Sequence, residues 1–104
     1  MRKNRGQILT LARECMVAYW QQQKERGNAD CKALELADLQ AAAVKIEESA
    51  GQGLDQGQTI YDITFLARCP QLGGKVKFQW SFNEFGDERS MNGALLIKEV
   101  ESRR

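Results

Sequence analysis

The chain contains no histidine. That removes the commonest general base and the commonest zinc ligand. It also removes the Ser–His and Cys–His pairs that activate many nucleophiles, and no Gly-x-Ser-x-Gly elbow is present. Cysteine is scarce. Cys15, Cys31 and Cys69 form no C-x-x-C pair, and an odd count suits neither a disulfide framework nor a structural zinc site. All three read as free thiols. Long apolar runs are missing too: none approaches the ~20 residues that cross a bilayer, so no membrane partner is expected. Met1-Arg2-Lys3 has the charge of a signal-peptide start. The apolar run that follows is broken by Arg13-Glu14 and gives way to Gln21-Gln22-Gln23, with no cleavage site. A cytoplasmic location is the expectation.

Excess charge of one sign is also lacking, since the net charge of 104 residues is +1. It is unevenly spread: residues 1–29 balance at +4, residues 30–62 at −5 and residues 63–104 at +2. A dedicated nucleic-acid domain usually carries a net basic charge or a dense basic stripe. Here the basic and acidic thirds are expected to satisfy each other. At 42% hydrophobic and 28% charged the composition is that of a folded domain rather than a disordered one.

The clearest pattern present is Lys75-Val76-Lys77-Phe78-Gln79-Trp80-Ser81-Phe82. It alternates without a fault, so Val76, Phe78, Trp80 and Phe82 fall on one face of a strand and form its core side. Thr59 to Ala67 alternates likewise, and Cys69-Pro70-Gln71-Leu72-Gly73-Gly74 between the two is a turn. Ala94 to Val100 leans to a third strand. Upstream, Gln7 to Arg26 has helical periodicity through Ile8, Ala12, Cys15, Tyr19 and Gln22, widened by Leu9, Met16, Val17 and Trp20. Gly27 suits a helix stop and Asn28 or Asp30 the next N-cap. Leu36, Leu39, Ala43, Ile46 and Ala50 step by three and four, so a second helix is predicted over residues 31–50.

The predicted fold is therefore α+β, one domain over residues 1–104. An antiparallel helical hairpin (7–50) is joined by a glycine-rich connection (51–58) to a three-stranded antiparallel β-meander (59–100), with the helices covering one face of the sheet. The connection is no phosphate loop, because it lacks the Gly-Lys-Ser/Thr ending and follows a helix.

Few residues invite chemistry. Cys69 sits in a turn beside Arg68, whose charge would favour a thiolate, yet a lone turn cysteine is ordinary. Glu84, Asp87 and Glu88 share one segment without calcium-ligand spacing. A helix-turn-helix reading fails because both predicted helices are long and the second, which would be the reader, carries mainly Glu and Asp. The expectation is thus no catalytic residue, no metal and no cofactor. The function expected is that of a small non-enzymatic protein-binding module, an accessory protein or inhibitor of the kind that phages and mobile elements encode. Its candidate interface residues are Phe85, Glu84 and Asp87 in the polar 83–92 loop, and Leu9, Met16 and Trp20 on an outer helical seam that could also pair the hairpin with a second copy in a homodimer. The alternative is a nucleic-acid-associated protein using a basic sheet face of Arg68, Lys75, Lys77 and Lys98.

Overall fold

A computed structural model describes residues 1–99. Helix α1 spans Arg5–Glu25 and is followed by two short helices, α2 (Ala29–Lys32) and α3 (Leu36–Gln40). Four strands complete the chain: β1 (Ala43–Ala50), β2 (Thr59–Cys69), β3 (Gly74–Asn83) and β4 (Glu88–Lys98). They form one antiparallel sheet in the order β1-β2-β3-β4. The α+β class holds, with one long helix in place of a hairpin and four strands in place of three. The end of the predicted last strand, Val100, lies outside the described residues.

Helix α1 begins where Asn4 and Gln7 cap each other. The Gln7 amide donates to Asn4 Oδ1 at 2.8 Å and the Asn4 amide to Gln7 Oε1 at 2.9 Å, satisfying two of the helix's free N-terminal donors. It ends just before Gly27, and Asn28 caps α2 by accepting from the Cys31 amide at 2.9 Å. Both punctuation marks were visible in the sequence.

The predicted second helix is not formed. Its first half breaks into α2 and α3, which bury Cys31 and Leu39 against the core, with Leu34 buried in the link between them. Its second half is β1. Val44 and Ile46 are β-branched and alternate with Lys45 and Glu47, so residues 43–50 also satisfy a strand period. What decides between the two is the partner. Val44 lies opposite Phe65 and Ile46 opposite Ile63, extending the buried face of β2 by one strand.

The core lies between the helices and one face of the sheet. Ile63, Phe65, Val76, Phe78, Trp80 and Phe82 are all buried, so the faultless alternation of β3 is realised. Trp80 packs edge-on to Tyr19 at 6.1 Å and to Phe65 at 6.4 Å, and stacks on Phe78 at 6.3 Å. Helix α1 contributes Ile8, Ala12, Met16 and Trp20, a buried line stepping by four. This corrects the outer-seam reading of α1. Met16 and Trp20 are core residues and Leu9 is half-buried against them. The Trp20 indole N–H donates to the Cys31 carbonyl at 2.8 Å, which ties α1 to α2. The hairpin on which a homodimer was expected is not formed, and Met16 and Trp20 of its seam are turned inward.

The two sheet edges are blunted in different ways. On β1, the Arg5 guanidinium reaches the Ile46 carbonyl at 3.2 Å and Glu48 at 2.8 Å. On β4, the register shifts twice, between Lys77 and Gln79 and between Ser81 and Phe82 of β3. Bulges and capped carbonyls both interrupt the row of groups that a foreign strand would need. Of the basic N-terminal third, Arg5 pairs with Glu48 of the acidic middle, whereas Arg2 pairs with Glu84 of the last third. Arg13 and Lys24 instead lie over the rings of Phe65 and Trp20, at 5.4 and 4.9 Å.

Candidate functional site

Antiparallel meanders place alternate turns at the same end. The β1–β2 loop and the β3–β4 turn therefore meet at one pole of the sheet, and the N-terminal segment before α1 joins them there. Glu84 is the common point. Its backbone carbonyl accepts from the Lys3 amide at 2.7 Å, and its carboxylate accepts from the Thr59 amide at 2.7 Å and pairs with Arg2. One buried glutamate thus holds all three segments.

A second set of contacts fixes the loops themselves. Asp55, buried in the β1–β2 loop, takes a bidentate pair from Arg89 of β4, with Nε and Nη2 each at 2.7 Å. Such fork geometry is the strongest and most directional form of ion pair. Asn83 closes the β3–β4 turn. Its side-chain oxygen accepts from the Phe85 and Asp87 amides at 3.0 and 2.9 Å, and its amide nitrogen donates to Asp87 at 3.2 Å. The β1–β2 loop is closed by the Gly51 amide on the Gln58 carbonyl at 2.8 Å. Two glycines are required here. A Cβ on Gly51 would collide with the Asp55 carbonyl, and Gly86 has φ +87° with the Lys3 side chain lying against it.

The electrostatics follow from these contacts. Hydrogen bonds from Arg89, and secondarily from Asn83, hold the Asp55 carboxyl below its ordinary range against the opposing effect of burial. The Thr59 amide, and then Arg2, do the same for Glu84. Both groups are therefore charged and fully engaged at neutral pH.

On this fixed base stand exposed apolar side chains. Leu54 is 98% exposed and Phe85 is 41% exposed. Met1 is also exposed. Leu54 thus stands in full contact with water one position from the buried Asp55, whose pairing with Arg89 fastens the loop.

The sequence-derived candidates separate accordingly. Phe85 is on the surface of the tip. Glu84 is beneath it as the fastening residue rather than a contact residue, and Asp87 is at the turn, exposed and bonded to Asn83. Leu9, Met16 and Trp20 lie elsewhere, in or against the core. Of the basic set, Arg68, Lys75 and Lys77 share the open outer face of the sheet. Arg68 is directly opposite Lys75, and Lys77 opposite Leu66. Lys98 is opposite Gly74, on the other face. Leu54, Asp55 and Arg89 were missed. Leu54 had one signal, being the only large apolar residue between Gly51 and Gln58. The Asp55–Arg89 pairing spans 34 positions and leaves no local mark.

The thiols are poorly placed for reaction. Cys31 and Cys69 are buried, and Cys69 Sγ lies 3.8 Å from the Ala33 carbonyl. Burial first, then Glu88 and Glu14, push the half-buried Cys15 thiol up, and burial followed by Asp30 does so for Cys31. Among the described residues no three His, Cys, Asp or Glu side chains converge as a metal-donor set, and no helix is long and apolar enough to cross a membrane.

No family model matches the chain, and neither a curated protein nor a solved structure matches it.

Proposed function

We propose that this chain is a small protein-binding module, an accessory or inhibitory protein, that docks through the pole formed by residues 2–4, the β1–β2 loop and the β3–β4 turn. The observation that carries the reading is Leu54, fully exposed at the end of a loop whose neighbouring residue Asp55 is buried in a bidentate ion pair. Fixing a loop before binding lowers the ordering cost of association, which is how a small apolar contact area gains affinity. Leu54 and Phe85, exposed on two turns at the same pole, suit a partner that offers an apolar cleft. Large aromatic and aliphatic anchors at the centre of an interface carry most of its energy.

Affinity capture from the native host, run side by side with wild type and with Leu54→Asp and Phe85→Asp, tests this. The expected result is a protein retained by wild type and lost with either variant. Recovery of the same protein in equal amount by all three would reject the tip as the docking surface.

A further inference from the structure

All three helices pack on one face of the sheet, and no described residue covers the other. At the end of that open face farthest from the tip, two rows of side chains run across β2, β3 and β4. One row is Arg68, Lys75 and Ile97; the next is Leu66, Lys77 and Leu95. Leu95 is 54% and Ile97 42% exposed. Residues directly opposite on adjacent strands are about 5 Å apart, and the rows are separated by two residues, roughly 7 Å. The result is a block of cations and aliphatic side chains in alternation. A depression of about 600 Å³ at the β4 bulge borders it, lined by Lys77, Gln79 and Leu95 on this side and by Tyr19 and Met91 on the helical side.

Two of the cations in this block face each other. Arg68 and Lys75 are like charges directly opposite each other, which a sheet normally avoids. Among the described residues, none of Arg68, Lys75 and Lys77 takes part in an ion pair. Asp38 and Glu99 each line a hollow beside Arg68 without bonding to it. The two free edges are blunted, so a partner strand is not invited to extend the sheet; the face itself is what remains available.

We propose that this basic, aliphatic quarter of the outer sheet face is a second docking surface, and that it takes an acidic protein segment carrying aliphatic side chains. Carboxylates of such a segment would relieve the Arg68–Lys75 repulsion, and its leucine or isoleucine side chains would cover Leu66, Leu95 and Ile97. Charge complementarity of this kind sets partner choice and association rate. Nucleic acid is the poorer match. Its bases need exposed aromatic rings for stacking, and the aromatic residues of β2 and β3 are all buried on the opposite face. The surface lies some six to eight residues along β2 from the tip, roughly 20–26 Å, so both can be occupied together.

The test is an NMR titration of the ¹⁵N-labelled protein with a synthetic decapeptide of eight Asp or Glu residues and two leucines. It is repeated with a single-stranded RNA decamer, and with the variants Lys77→Glu and Leu54→Asp. The expected result is peptide-induced shifts confined to amides around Leu66–Arg68, Lys75–Lys77 and Leu95–Ile97. Lys77→Glu should weaken binding by about tenfold or more, while Leu54→Asp should leave it unchanged. That last arm separates this surface from the tip, since either can fail without the other. No shifts at millimolar peptide, shifts centred on residues 51–58 and 84–87, or RNA moving the same amides at lower concentration than the peptide would each overturn the proposal.

Discussion

At the scale of single residues, the molecule separates side chains that hold from side chains that are displayed. Glu84 and Asp55 are charged, buried and fully bonded; Leu54, one position from Asp55, is bonded to nothing. Leu54→Asp is therefore expected to change stability by no more than about 0.5 kcal/mol, as for an ordinary surface substitution, while abolishing partner capture. Thermal melting of the variant checks the first half of that statement. The carboxyls make a pH prediction. Both have folded pKa values below their ordinary ones, so their stabilising contribution is complete above the ordinary carboxyl range. It is lost as pH falls through the lower, folded values. Amide exchange measured by NMR between about pH 6 and about pH 3 should show the Thr59 and Lys3 amides losing protection in acid while β3 core amides keep theirs. Equal protection of Thr59 and Lys3 across that range would mean that Glu84 does not fasten the tip. At the opposite extreme of burial, Trp80→Ala should cost about 3–5 kcal/mol. That is a large share of the roughly 5–15 kcal/mol that keeps a domain folded, and chemical denaturation would measure it.

At the scale of elements, legibility in the sequence depended on whether one period or two could describe a stretch. β3 has only the two-residue period, so it was legible with its buried face; α1 has only the helical one, so the helix was legible but its buried face was not. Residues 43–50 satisfy both periods. Ala43, Ile46 and Ala50 lie on a helical stripe, while Val44, Ile46 and Glu48 lie on one strand face. Alanine and glutamate tilt such a stretch towards helix by a few tenths of a kcal/mol per residue. Pairing with Phe65 and Ile63 outweighs that, and no local pattern announces a partner some twenty positions away. The same limit explains α1. Its broad apolar sector was visible, but the sequence did not show that Met16 and Trp20 face the core while Tyr19 leans towards β4. Because β1 is an edge strand, its protection can be tested. Arg5→Ala removes the cap on the Ile46 carbonyl and the partner of Glu48. The expected outcome is concentration-dependent association detected by light scattering; a variant as monodisperse as wild type would show that Lys45, Glu47 and Glu48 protect the edge unaided.

At the scale of the whole molecule, a two-layer fold leaves three kinds of surface: a helical side, an open sheet face and two poles. The polar loop with Phe85 was legible as a candidate because it interrupts two alternating strands. Its union with the N-terminal segment and the β1–β2 loop was not, because it depends on strand order and on contacts such as Thr59 with Glu84 across 25 positions. Topology thus joined one loop to two other segments at a single pole, and placed Met16 and Trp20 of the first helix in the core. Hydrogen–deuterium exchange of the protein with and without its captured partner tests the account most directly. Protection concentrated in residues 1–4, 51–58 and 84–87 is the predicted result. A footprint confined to the exposed side of α1, with those three segments exchanging as fast as in the free protein, would contradict it.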